Sequence, residues 1–464
     1  MFVLAIPPTI INLVQQGYLE REFHDGLYPE NKFRDEAEFE EWPAGTGTEI
    51  FQSKPGLITP KLTPLTPGVD PAPSTVNWEQ WQMVLNRYGD SIDTNTPTSA
   101  VAIDDLFLRH GKQLGLNAGQ VLNRLPRNVL YKSYVSGNTV LVDACAAIDT
   151  QIHLASLNGF RDVIRVGTDV RPTPVATAVP LPILIGIGAL QITRNVIAVQ
   201  PDNASDPDGP GWVLLSAAVG AIYVARTAVV STYATPILRV GGGATVDAIG
   251  AADTFVMQNA IVAGAMLKNS NVPAHDDGFY HAHIGPLTMV QAFGDVPFQR
   301  LFTGMPDAEE IKRGVLGTSG HVKFIQNSEC PQRASGNVGT LTATGTNAVY
   351  GSDIGCDVTN NSGIDIGRVL VTGKGSLYER GLDEKAYVTE AGVTGKIKDL
   401  EGIVMPGMSV VTNRIKIIIR APLNRTQDQV ATTWTCSTGF AAPTDAATGS
   451  AARWKRAVVI EAAL

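Results

Sequence analysis

A stretch rich in proline constrains the fold of this chain more than any other feature of its sequence. Its prolines stand at positions 55, 60, 64, 67, 71 and 73. Proline has no N–H to donate to a neighbouring strand, so this stretch is excluded from the interior of a sheet. The flanking runs Thr48–Gln52 and Val76–Tyr88 have the character of strands. The sequence therefore predicts a long β-hairpin with a stiff tip over residues 44–96.

Such a hairpin has little core of its own, and an isolated two-stranded hairpin is only marginally stable in water. It therefore needs a further surface, and we expect that surface to belong to a neighbouring subunit. The predicted contact residues share a place on the hairpin and carry apolar or cationic side chains: Ile50, Phe51, Lys54, Leu57, Ile58, Lys61 and Leu62. The two lysines are candidates for ion pairs between subunits, each contributing about 0–1 kcal/mol when exposed.

The composition is that of a globular protein with an unusually uncharged surface. Of 464 residues, 44% are hydrophobic and 17% are charged, whereas about a quarter of the residues of a typical domain are charged. This deficit fits a surface that is largely covered by neighbours. The net charge of −8 argues against a dedicated nucleic-acid binder, which would normally be basic.

The chain lacks the marks of secretion or membrane insertion. The start, MFVLAIPPTIINLV, has no basic residue and carries two prolines, which predicts no signal peptide. The apolar stretches Val175–Val199 and Trp212–Val230 each contain Arg or Pro, so they are predicted as buried strands rather than membrane spans. The four cysteines form no C-x-x-C pair, and reduced thiols in a cytosol are the expectation.

Pattern and composition predict an α+β protein. Its segments are an N-terminal arm at 1–43, the hairpin at 44–96, a long helix with the residues after it at 97–165, an inserted β subdomain at 166–245, an α/β unit at 246–332, and a β-rich part at 333–464. Within the insert, the strand-like runs are Ile183–Ile187, Asn195–Val199, Trp212–Leu215 and Ala221–Val230.

The long helix is the clearest in the chain. Thr98 or Ser99 is predicted to cap it, Asp104 and Asp105 suit its first turn, and Pro126 is predicted to interrupt it. At ~1.5 Å per residue, such a helix is ~40 Å long. That length suits the backbone of a flat, extended molecule, and it equally suits an ordinary long core helix.

The α/β unit contains a second predicted helix, which Asp253 or Thr254 caps and which runs to Lys268. The strand Tyr280–Ile284 and the short helix Pro286–Phe293 follow it.

No catalytic motif is present in the sequence: it contains no G-x-S-x-G, no H-E-x-x-H and no Walker sequence. The best candidates for a metal site are His275, Asp277, His281 and His283, because an H-x-H on a strand puts both imidazoles on one face. Ordinary turn chemistry before a strand explains them equally well, so no metal or cofactor is predicted. The loop carrying Asp202, Asp206 and Asp208 lacks the order of an EF-hand.

Several segments, in this order, resemble the major capsid proteins of tailed bacteriophages with the HK-97 fold, including the coat proteins of phage N4 and its relatives. The segments are Gly45–Pro71, Tyr88–Thr94, Asp253–Pro273, Gly278–Asp295, Gly314–Pro331, Val369–Leu382 and Trp454–Leu464. The first resembles that family's extended loop, which runs into its long spine helix. The segment 166–245 lies outside the resemblance.

The resemblance implies a structural protein with no enzymatic activity. It implies a P domain formed by 97–165 and 333–464, an A domain at 246–332, and pentamers and hexamers that close into an icosahedral head around double-stranded DNA. The implied partners are further copies of the chain, a separate scaffolding protein, a portal protein, optionally a decoration protein, and DNA held without sequence specificity. Assembly would take place in the bacterial cytoplasm, and the finished protein would reside in the virion.

Three other interpretations stay open from the sequence. An encapsulin-like nanocompartment shell resembles the same fold. A different virion protein, such as a decoration, tail or fibre subunit, is compatible with the β insert. A metalloenzyme would use the histidines at 275–283.

Overall fold

The computed structural model describes residues 32–43, 46–55, 61–65, 68, 70–71, 73–74, 78–95, 106–164, 171–296, 315–319, 321–327, 329–330, 358–360, 362–382, 408–411, 415–420, 429–444 and 456–464. The chain divides into two compact units, each built from three stretches. The first comprises Met1–Ile50, Gln82–Pro126 and Leu377–Ala441, and the second Phe51–Trp81, Arg127–Ser376 and Ala442–Leu464.

The helices are α1 (Leu106–Tyr134), α2 (Met257–Asn269) and α3 (Pro286–Phe293). The strands are β1 (Ala37–Glu41), β2 (Glu49–Pro55), β3 (Trp78–Val84), β4 (Asn86–Asn95), β5 (Asn138–Val140), β6 (Gln151–Leu154), β7 (Asp162–Val163), β8 (Thr173–Pro174), β9 (Leu181–Ile185), β10 (Ile192–Pro201), β11 (Gly211–Leu215), β12 (Ala228–Ser231), β13 (Ile237–Arg239), β14 (Tyr280–Ile284), β15 (Val315–Ser319), β16 (Val322–Gln326), β17 (Val358–Thr359), β18 (Asp365–Thr372), β19 (Leu377–Gly381), β20 (Met408–Val411), β21 (Ile415–Arg420), β22 (Gln429–Ala441) and β23 (Ala457–Ala463). This mixture confirms the α+β class.

The first unit is a six-stranded sheet in the order β1-β19-β22-β21-β20, with β4 also paired to β22. The long strand β22 is the centre of this sheet, because it pairs with β4 along one side and with β21 and β19 along the other. Three residues of α1 pack on it: Leu114, Ala118 and Leu122 form a core with Ile415, Trp434 and Cys436. Inside this unit, Arg34 forms a nearly buried ion pair with Glu379 at 2.6 Å.

The prediction that Pro126 interrupts the long helix is wrong, because α1 continues through it to Tyr134. Side chains of the last two turns are anchored within the second unit. Tyr131 Oη donates to the carbonyl of Arg368 at 3.2 Å, and Tyr134 Oη donates to that of Ser376 at 2.8 Å. These buried contacts offset the hydrogen bond that proline removes. The predicted start of the helix lies outside the described residues.

A closed β-barrel forms part of the second unit. Its six strands follow the order β5-β12-β9-β10-β11-β6, all antiparallel. The end strands then pair with each other: Val142 N–H donates to the carbonyl of His153 at 2.9 Å, and Ala155 N–H to that of Val140 at 3.0 Å. Closure removes the exposed edges that an open sheet would leave. The interior is apolar, with Leu154, Leu181, Ile183, Ile185, Val196, Val213 and Val229 all fully buried.

The barrel is larger than the predicted insert at 166–245, because β5 and β6 lie before that segment. The predicted strand Ala221–Val230 is also wrong over most of its length, since only Ala228 onward is a strand. Residues 216–227 form a loop instead, and Ile222 and Val224 in it are 79% and 72% exposed. A run of apolar residues usually predicts a buried strand, but here apolar side chains of the run lie on the surface.

The other large element of the second unit is a seven-stranded sheet, in the order β13-β23-β18-β14-β16-β15 with β17 beside β18. Helices α2 and α3 pack on it through apolar residues of the same core. Glu461 of β23 is fully buried and accepts from Arg239 Nε at 2.9 Å and Arg368 Nε at 3.0 Å. Partners on two different strands satisfy this buried carboxylate.

Of the remaining predictions for this unit, those of a strand and a short helix are confirmed, and that of a helix start is wrong. The strand Tyr280–Ile284 and the helix Pro286–Phe293 are confirmed. The cap predicted at Asp253 or Thr254 is wrong, because α2 begins after Val256 and has no side-chain cap. Asp253 instead accepts from the Gly250 N–H at 2.8 Å, which closes the preceding turn. Among the described residues, no helix is long and apolar enough to cross a membrane.

Candidate assembly interface

The predicted hairpin forms as the pair β2–β3, a sheet of two strands only. Trp81 Nε1 donates to Gln52 Oε1 at 3.0 Å, and Gln80 Nε2 donates to Ser53 Oγ at 3.0 Å, so side chains as well as backbone join the strands. The predicted single run Val76–Tyr88 is two strands that part at Leu85. They part because β3 pairs with β2 while β4 pairs with β22.

The residues predicted for an inter-subunit contact differ in their exposure. Ile50 and Lys54 are half-buried, whereas Lys61 and Leu62 are exposed. Phe51 lies beneath the guanidinium of Arg171, whose Cζ is 4.3 Å from the ring centre, so this subunit already covers part of it. Leu57 and Ile58 lie outside the described residues.

Three further apolar side chains of the hairpin are exposed, and the sequence analysis missed them. Leu65 is 68% exposed, Trp78 50% and Val84 40%. On β3, Trp81 and Met83 are buried at 5% and 1% exposure, so this strand carries large apolar side chains on both faces. A strand that is apolar on both faces needs cover on both, and that signal was available in the sequence. Leu62, at 90%, is the most exposed of the set.

The predicted metal candidates do not form one set of ligands. His275 and His281 stack with ring centres 4.1 Å apart, and His281 Nε2 is 2.9 Å from an oxygen of Asp277. His283, two residues along β14, is fully buried. No three of these four described residues bring their ligand atoms within 4.8 Å of one another.

Asp277 is held as a carboxylate by its neighbours. Burial would raise its pKa, but hydrogen bonds from His281, the Phe279 N–H and Lys323 outweigh that effect and lower the pKa to about 2. Lys323 Nζ is 3.1 Å from Asp277. The arrangement is a network of ion pairs at the start of the neighbouring strands β14 and β16, and these contacts account for the acidic side chain.

Two of the three aspartates of the barrel loop likewise pair with residues within the chain. Asp208 pairs with Lys132 and, at 3.6 Å, with Arg161. Asp202 accepts from His153, whose other ring nitrogen is 2.9 Å from Asp143. The ligand atoms of the described residues Asp202, Asp206 and Asp208 do not all lie within 4.8 Å of one another, as those of a calcium ion would.

Comparisons with known proteins find chains of similar structure but no match by sequence. No family model matches the chain, and no curated protein is similar to it. The chain is similar to the capsid of Ralstonia phage GP4, with 10% identity over 94% of this chain and 88% of that one and a TM-score of 0.48. It is similar to the cyanophage Pam1 capsid asymmetric unit, with 10% identity over 94% and 90% and a TM-score of 0.45. It is similar to the capsid of cyanophage P-SCSP1u, with 10% identity over 92% of this chain and 86% of that one and a TM-score of 0.42.

Proposed function

We propose that this chain is the major capsid protein of a tailed bacteriophage, a shell subunit with an HK-97-type fold and no catalytic role. Its copies form pentamers and hexamers that close into an icosahedral head around double-stranded DNA. The observation that carries the proposal is the hairpin β2–β3. It belongs to none of the three large sheets and exposes Leu62, Leu65 and Trp78.

Exposed apolar surface on a hairpin is costly unless something covers it. A neighbouring copy supplies such a cover in a ring of heterologous contacts, where the same two surfaces meet at every step. The prolines of the tip support this role, because a stiff segment loses less conformational entropy when it docks. The long helix α1 supports it, because the resemblance to these capsid proteins implies a long spine helix.

The proposed partners follow from the same role. Assembly uses a separate scaffolding protein and a portal protein in the bacterial cytoplasm, and a decoration protein where the shell carries one. The net charge of −8 supports only weak, nonspecific contact with the packaged DNA. The finished protein resides in the virion.

The test removes apolar surface from the hairpin tip without touching the core. We expect the double substitution Leu62→Ser and Leu65→Ser to leave a soluble, folded protein that does not close shells with its scaffolding partner, as seen by negative-stain electron microscopy. Thr63→Ser, at an exposed position between them, is the matched control and should assemble like the wild type. Shells from the double variant in normal yield would contradict the role of the hairpin.

Electron microscopy of the wild-type protein tests the proposed function itself. Closed shells, or rings of five and six subunits, support the proposal. A monodisperse monomer with and without scaffold would refute it. Shells that enclose a protein cargo in place of DNA would point to a nanocompartment.

A further inference from the structure

One end of the barrel carries an apolar surface that the hairpin proposal does not use. Since neighbouring strands are antiparallel, the loops β5–β6, β9–β10 and β11–β12 all lie at the same end. They expose five large aliphatic side chains: Ile148 at 83%, Ile187 at 56%, Leu190 at 72%, Ile222 at 79% and Val224 at 72%. We name these five residues the apolar tip.

The three loops are tied to one another, so the apolar tip is preformed. Val219 N–H donates to the carbonyl of Asp149 at 2.8 Å, and Gly220 N–H to that of Ala147 at 2.7 Å, which joins β11–β12 to β5–β6. The Tyr223 hydroxyl donates to the carbonyl of Leu190 and joins the third loop.

Gly186, with φ of 88°, is required where these loops pack. A Cβ at that position would lie 2.7 Å from the Tyr223 ring. A surface held this rigidly loses little entropy when a partner covers it.

The charges beside the apolar tip are few and balanced. The three loops contain three charged residues, and each is engaged within the subunit. Asp143 pairs with His153 at 2.9 Å, Asp149 accepts from the Ala146 N–H at 2.6 Å, and Arg226 pairs with Asp247 at 2.7 Å. Arg194 Nε also donates to the Ala218 carbonyl of one of these loops at 2.7 Å, so the charges beside the apolar tip are of both signs and equal in number. A nucleic acid, which needs a surplus of positive charge, would gain little here. Two identical copies of such a surface meet without repulsion between like charges.

The size of the apolar tip then limits how a copy can bind. Five side chains exposed to this degree present on the order of several hundred Å² of apolar surface, at the upper end of what a monomer leaves open. A stable pair of proteins buries about 800 Å² on each partner. The contact is therefore too small to pair free subunits, and it becomes favourable where the copies are already held side by side at a high effective concentration.

We infer that the apolar tip is a contact between the barrels of neighbouring copies of this chain, formed within the assembled shell. The inference rests on the proposed function, because only an assembly supplies the neighbours. Its role is to tighten a shell that other contacts have already built.

Cysteine cross-linking tests the contact directly. Ile222→Cys places a thiol on the apolar tip, and Ala204→Cys places one on an exposed loop at the opposite end of the same barrel. A short bismaleimide is added to assembled shells of each variant and of the wild type. We expect Ile222→Cys shells to give covalent dimers several-fold above the wild-type background, because each subunit carries one added thiol, and Ala204→Cys shells to give only that background. Unassembled Ile222→Cys protein should remain monomeric.

A second variant measures what the contact contributes. Shells of the double variant Ile187→Ser and Ile222→Ser should form in normal yield but dissociate at a lower guanidinium concentration than those of the Ala204→Ser control. Shells without cross-links and with unchanged dissociation would overturn the inference and leave the proposed function intact. An Ile222→Cys thiol that is shielded only in virions carrying an additional protein would overturn it as well. Failure of the wild type to form any shell would instead refute the proposed function.

Discussion

At the scale of single residues, His153 is held in a way that makes the barrel sensitive to pH. Its ring stacks on Trp212 with centres 4.6 Å apart, and its two nitrogens meet Asp143 and Asp202 at 2.9 and 2.8 Å. Only the protonated imidazole donates to both carboxylates at once. Burial lowers the pKa of His153, but the hydrogen bonds to both aspartates outweigh it and raise the pKa.

A raised pKa in the folded state means that protonation stabilises the fold. The contribution is complete below the ordinary value of about 6.5 and is lost as the pH rises through the folded value. We expect His153→Gln to lower the free energy of unfolding most at pH 5.5 to 6 and hardly at pH 9. The difference should be about 1 kcal/mol or less, because Asp143 is 63% exposed. Urea unfolding across this range measures it, and a difference that does not change with pH would contradict the assignment.

At the scale of elements, the sequence predicted those with strong local signals and missed those made by distant contacts. The strand Tyr280–Ile284 and the helix Pro286–Phe293 follow from pattern and from Pro286 at the helix start. Strands β5 and β6 have three and four residues and exist because each pairs with a strand far along the chain, β5 with β12 and β6 with β11. No window of sequence around either strand contains that information.

The passage of α1 through Pro126 gives a prediction about the helix itself. Proline inside a helix costs about 3 kcal/mol, since it removes one hydrogen bond and crowds the preceding turn. Pro126→Ala restores an N–H that can donate to the carbonyl of Leu122, so we expect the free energy of unfolding to rise by about 1–3 kcal/mol. Pro286→Ala is the matched control, because Pro286 stands in the first turn of α3, where no donor is needed. Equal effects of the two substitutions in urea unfolding would show that the proline in α1 is unstrained.

At the scale of the whole molecule, the pairing of distant segments was out of reach of the sequence. β1 pairs in parallel with β19, and β13 with β23, and each pair joins segments far apart in the chain. The hairpin was found because its prolines exclude other structures. The stacking of His275 on His281 was not predicted, because it depends on how a turn folds back onto β14.

The barrel's place in the chain leads to a prediction about its independence. The chain enters at β5 and leaves at β12, and these strands are neighbours: Asn138 pairs with Val230, and Ser231 N–H donates to the carbonyl of Gly137 at 2.8 Å. A closed barrel with its own apolar core and adjacent ends should fold alone. We expect a fragment of residues 136–235 to unfold cooperatively in urea and to give a dispersed amide spectrum.

A fragment that begins at residue 151 lacks β5 and leaves the barrel open, so it should be much less stable or aggregate. In the complementary experiment, a short Gly-Ser linker replaces residues 138–231 in the full chain, and the remainder should keep its fold because the linker spans neighbouring ends. If fragment 136–235 is unfolded while the full chain is folded, the barrel depends on its surroundings.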